Sequence, residues 1–116
     1  MSTLTLRRPP PPVIPKADAR RLARDWLTTT HPELFSPDCP VPLQVGIKRH
    51  LGRQRPAGIT QAGLYRALAA WVDALPYHRA VAAGGPRYGL DGPAGAVTDP
   101  ERAHALATLT DRGAAP

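Results

Sequence analysis

The 116-residue chain carries 15 Lys and Arg against 9 Asp and Glu, a formal charge of +6, with 15 prolines and few aromatic side chains. That length fits one domain with one modest core; it argues against a large cofactor-binding enzyme, and a lone Cys39 argues against a disulfide scaffold. No apolar run approaches the roughly 20 residues of a membrane span, and residues 1–12 lack a signal-peptide core, so a small basic cytoplasmic domain is expected, with polyanions as its first candidate partners.

In chain order, residues 1–16 read as a disordered basic tail, because Pro9–Pro12 and Pro15 favour polyproline II over helix. A first helix is predicted from an Asp18 N-cap to about Thr29, with Leu22, Trp26 and Leu27 facing inward. A second is predicted after Pro42, where Leu43, Ile47 and Leu51 fall within about 80° at 3.6 residues per turn. Lys48, Arg49 and Arg53 lie opposite that stripe. Gly46 falls inside this helix, where a glycine answers either to close packing against a neighbouring element, the simpler reason, or to close approach of a ligand to the backbone.

The third helix has the clearest pattern. Thr60 caps it, and Leu64, Leu68, Trp71, Val72 and Leu75 recur at helical spacing, with Arg66 pointing away and Tyr65 at the stripe's edge. Pro76 opens a short fourth helix that Gly84-Gly85 ends. Asp91-Gly92 then marks a turn between two brief strands, Arg87–Leu90 and a run to Val97. Thr98 and Glu101 form a capping box for a last helix whose apolar positions are Ala103, Leu106, Ala107 and Leu109. The fold class expected is mainly α, about five helices, with a small β-hairpin before the last. The domain spans residues 17–112, and residues 113–116 form a disordered end.

Charge is unevenly placed along this frame. Residues 1–90 hold 13 basic and 5 acidic side chains, whereas residues 91–116 hold 2 and 4. Residues 39–72 contain no acid at all, although Lys48, Arg49, Arg53, Arg55 and Arg66 fall there. A solvated helical face ordinarily mixes signs, because like charges one turn apart repel. A bias toward arginine explains Arg over Lys but not missing acids, so the window points to a polyanion-binding face.

No catalytic constellation accompanies it. His31, His50, His78 and His104 lack metal-ligand spacing, and Cys39 lies among prolines rather than at a helix start. Gly84-Gly85-Pro86 follows a helix and precedes a strand, the reverse of a phosphate-cradling loop. Neither an enzyme nor a cofactor or metal is expected.

Several segments together carry a resemblance. Pro42-Leu-Gln-Val-Gly-Ile47 followed by Leu51 is similar to the Pro-Leu-basic-Ile-Gly-Ile segment of the FinO/ProQ RNA chaperones. Leu64-x-x-Ala67-Leu68-x-x-Trp71 resembles the family's next helix. Tyr77, Gly84, Arg87-Tyr88-x-Leu90-Asp91-Gly92 and Gly95 match its Tyr…Gly…Arg-x-x-Leu-Asp-Gly…Gly pattern, and Glu101-x-x-His104-Ala105 matches the start of its last helix. The run covers about residues 18–110, in order.

The resemblance implies a mostly helical domain with a small hairpin that binds structured bacterial RNA. It favours a stem with a single-stranded 3′ tail, as at terminators, and promotes pairing of small or antisense RNAs with their targets. It places Tyr77 and Arg87 at the family's RNA-contacting tyrosine and arginine, with Lys48, Arg49 and Arg53 on the basic helix beside them. Arg66 matches one member of a basic pair. Gln44 and Tyr65 stand where the family usually has basic residues; Gln44 retains hydrogen bonding, and Tyr65 either stacks a base or covers the core edge. The expected mechanism joins phosphate neutralisation to capture of the 3′ end near Tyr77 and Arg87, with a helix start such as that after Thr60 adding backbone donors. The expected partners are small RNAs and messenger 3′ ends, with no membrane, and the chain is expected to be a monomer. Two alternatives are a basic module docking an acidic protein and, more weakly, a duplex DNA-binding protein.

Overall fold

The computed structural model describes residues 15–116. Its elements are α1 (Lys16–Thr30), α2 (Ile47–Gln54), α3 (Gln61–Asp73), α4 (Leu75–Ala83), β1 (Pro86–Gly89), β2 (Gly92–Ala96) and α5 (Asp99–Asp111). Five helices with a two-stranded antiparallel hairpin before the last is the expected class. The tail assigned to residues 1–16 lies, as far as residue 14, outside the described residues, and Lys16 already belongs to α1. Beyond α5 the chain has no regular structure, yet Ala114 packs against the core and the Ala115 carbonyl accepts from Arg79 Nε at 3.0 Å.

Two packed pairs make the body: α1 lies along α3, and α5 along α4. Phe35, Leu27, Leu51, Leu64 and Leu109 are the largest fully buried side chains, and Phe35 meets Trp71 edge-on at 5.3 Å between ring centroids. A Cβ on Gly63 would stand 2.6 Å from the Ala19 carbonyl oxygen, so glycine sets how closely α3 approaches α1.

Five local expectations are corrected. Asp18 does not cap α1; Pro15 precedes the helix and Asp18 lies in its first turn. The inward stripe of α1 is Ala19, Ala23 and Leu27, and Leu22 lies off that stripe, exposed. In α5 the buried positions are Ala105 and Leu109, while Ala103, Leu106 and Ala107 face out. The hairpin turns through Leu90 and Asp91, and Gly92 opens β2 at a φ of 108°.

The fifth correction concerns residues 43–46, expected to be helical. Instead Leu43 forms a parallel bridge with Tyr88: Gln44 N donates to Tyr88 O at 2.8 Å and Tyr88 N to Pro42 O at 2.9 Å. This single bridge pins the segment to the outer edge of β1. Gly46 ends it as the N-cap of α2 at a φ of 85°, and nothing would touch a Cβ there. Its glycine answers to left-handed backbone, not to close packing.

Candidate nucleic-acid interface

Where the Leu43–Gly46 segment meets α3, α4 and the hairpin, it encloses a pocket of about 320 Å³. Gln44, Gly46, Lys48, Tyr65, Tyr77 and Arg87 contribute to its wall, so five of the eight residues singled out from the sequence converge on one cavity. Arg49 and Arg53 are exposed on α2 away from it, and Arg66 is exposed on α3 beside Arg20 of α1.

Tyr77 and Arg87 hold the backbone of one residue, Leu43, between them. The Tyr77 hydroxyl accepts from Leu43 N at 3.2 Å, and Arg87 Nη1 donates to Leu43 O at 2.8 Å. Arg87 Nη2 reaches Glu101 Oε2 at 2.9 Å, leaving Nε buried without a partner. Both side chains are therefore committed inward: Tyr77 is buried, and the Arg87 side chain is only 11% exposed. They also separate the pocket from a second depression of about 350 Å³ that includes His78, Glu101 and His104.

Glu101 anchors this arrangement at the start of α5. It completes the capping box, accepting from Thr98 N at 2.9 Å while Thr98 Oγ1 accepts from Glu101 N at 3.3 Å. The Thr98 bonds, reinforced by the Arg87 guanidinium, hold its carboxyl below the usual carboxylate range.

On the opposite wall Lys48 Nζ sits 4.5 Å from the centre of the Tyr65 ring, and Gln61 Nε2 donates to the Tyr65 hydroxyl at 2.9 Å. Lys48 covers that face of the ring, so a base stacking there must displace the ammonium. Gln44 lies across the hairpin, where a Cβ on Gly89 would run into its side-chain amide.

Two features of the wall escaped the sequence reading. Val45, 77% exposed, and Val72, counted there as core, both border the pocket and give it apolar lips. The helix N-terminus at the pocket is that of α2, whose Gly46 cap supplies no side-chain acceptor. The start of α3 is already occupied, Thr60 Oγ1 taking the Gly63 amide at 3.0 Å. A basic cavity with apolar lips suits a planar group joined to an anion.

The comparisons agree with this architecture. A solved structure titled as a FinO-like RNA chaperone from Neisseria meningitidis MC58 superposes with a TM-score of 0.70 at 24% identity, over 85% of this chain and 84% of that one. No curated protein matches the chain. The family model for the ProQ/FINO family matches residues 18–115, and the chain belongs to that family.

Proposed function

We propose that the protein is an RNA chaperone that binds a stem followed by a single-stranded 3′ tail and assists small or antisense RNAs in pairing with their targets. The observation that carries this reading is the convergence of Gln44, Lys48, Tyr65, Tyr77 and Arg87 on one pocket at the start of α2. Family membership and a relative titled as an RNA chaperone point the same way. The tail's terminal nucleotide enters between Tyr65 and the Leu43–Gly46 segment. The Lys48 ammonium meets its sugar and phosphate, with the Lys48 N–H beside it, since Ile47 N and Arg49 N already donate to Gln44 O and Gly46 O. Tyr77 and Arg87 act by holding Leu43, and thereby the pocket wall, in place. Shape and a free end then select the RNA without reading base edges, as suits A-form helices and unpaired ends.

The test compares a hairpin carrying a 3′ tail with the same hairpin blunt-ended. Lys48→Ala, Tyr77→Ala and Arg87→Ala are each expected to weaken binding of the tailed hairpin, with circular dichroism confirming the fold. Unchanged affinity in all three would place the end elsewhere. With four or five phosphates contacted, log K is expected to fall against log salt with a slope of about −3 to −4. A partner retained after RNA digestion would favour the acidic-protein alternative, and equal competition by duplex DNA would favour the DNA-binding one.

A further inference from the structure

We infer that the outer face of α1 and α3, away from the pocket, is a second RNA contact surface. It carries the sugar-phosphate backbone of the duplex whose 3′ tail occupies the pocket, and so rests on the RNA-binding reading above. Arg20 on α1 and Arg66 on α3 flank a depression with exposed Ala69 and Ala70 at its base. Arg20 and Ala70 also border an adjoining one, which extends to Arg24. Ala69 and Val72 reappear in the wall of the end-binding pocket. One path therefore runs from the start of α2 across α3 to α1, with small residues along it and arginines at its edges.

The charges on this path are available. Among the described residues, Arg20, Arg24 and Arg66 have no carboxylate within 4 Å, whereas Arg87, Arg102 and Arg112 do. Asp18 and Asp73, the carboxylates along the face, each pair with another arginine: Asp18 with Arg21 at 3.6 Å and Asp73 with Arg112 at 2.5 Å. Arg20 and Arg24 lie four residues apart on one helix, a like-charge spacing that is unfavourable without a polyanion opposite. The Arg24 guanidinium rests 5.2 Å above the Trp71 ring, which limits its wandering. Methyl-lined ground between unpaired cations fits a phosphate ridge, which approaches closely and asks for no base-specific donors.

The experiment uses the full chain with Arg20→Ala, Arg24→Ala and Arg66→Ala combined, all exposed positions, and two RNAs: a tailed hairpin and the tail alone as a short oligonucleotide. The salt slope for the tailed hairpin is expected to become shallower by roughly 2 to 3, at 0.7–0.9 per cation removed, with the oligonucleotide bound as before. Lysine at the same three positions is expected to restore the slope. An unchanged hairpin slope, or equal loss on both RNAs, overturns the inference. So does a variant that keeps its hairpin slope but no longer binds a polyglutamate peptide, since the face would then be a protein-docking surface. A wild-type chain that binds neither RNA overturns the function proposed above instead.

Discussion

Tyr77 and Arg87 are the residues on which the resemblance places RNA contact, yet their polar atoms are largely spent on the protein itself. Tyr77→Phe keeps the ring and removes only the acceptor for Leu43 N. It is expected to destabilise the fold by about 1 kcal/mol, read as a lower urea midpoint, and to weaken RNA binding less than Tyr77→Ala does. A Phe variant as weak in binding as the Ala variant would mean that the hydroxyl itself meets RNA. Glu101 gives a pH signature. Its carboxyl is held below the ordinary range, chiefly by the Thr98 hydrogen bonds with Arg87 assisting. The associated stability is therefore present above the usual glutamate pKa of about 4.3 and is lost as pH falls through the folded value. Glu101→Gln is expected to flatten that acid limb in urea midpoints measured from pH 6 downward. The Asp73 carboxyl, lowered by its hydrogen bond and charge contact with Arg112, contributes in the same direction and stays as the remaining slope.

At the scale of elements, the closest approach in the molecule runs through Gly63. Alanine there gains roughly 0.5–1 kcal/mol in helix propensity but has to push α1 away from α3, since its Cβ would lie 2.6 Å from Ala19 O. Overpacking of about 1–3 kcal/mol is expected to win, so Gly63→Ala should lower the urea midpoint. The same element pair shows what the sequence disclosed and what it hid. Leu64, Leu68 and Trp71 sit at helical spacing and are buried as that spacing requires, and the Thr98–Glu101 box is a local hydrogen-bond pattern that the structure forms. Periodicity failed where a neighbour decided. Leu22 looked like core because it is apolar, but α1 buries Ala19, Ala23 and Leu27, and Leu22 lies off that stripe, exposed. Residues 43–46 read as helix because Leu43 is in phase with Ile47 and Leu51, whereas pairing to Tyr88, forty-odd residues away, wins that segment. The pocket was hidden for the same reason. Its residue types stand in the chain, but only a long-range bridge brings Gln44 and Lys48 to Tyr77 and Arg87.

For the whole molecule, two acidic side chains are matched to arginines that tie elements together: Glu101 to Arg87 between α5 and the hairpin, and Asp73 to Arg112 between α3 and the end of α5. Lys48, Arg49, Arg53 and Arg66 are exposed and, among the described residues, make no such pairs, so the field seen by an approaching RNA is more positive than +6 alone conveys. Attraction of that kind treats all RNAs alike and is screened over about 10 Å at 0.1 M salt. The ratio of affinities for tailed and blunt hairpins is therefore expected to fall by only about 3-fold between 50 and 200 mM salt, the share of the single Lys48 contact, while both affinities drop much further, a comparison made by fluorescence anisotropy. A ratio that collapses would put the discrimination in charge and not in the pocket. The grip on Leu43 bears on the energetics of recognition in another way. Its N–H is taken by α4 and its C=O by β1, with α5 bracing the arginine. Fixing a loose loop costs about 1–2 kcal/mol per residue, and here the Leu43–Gly46 rim is already fixed when the chain folds. An incoming 3′ end then meets a finished surface, and the entropy lost on binding falls on the RNA.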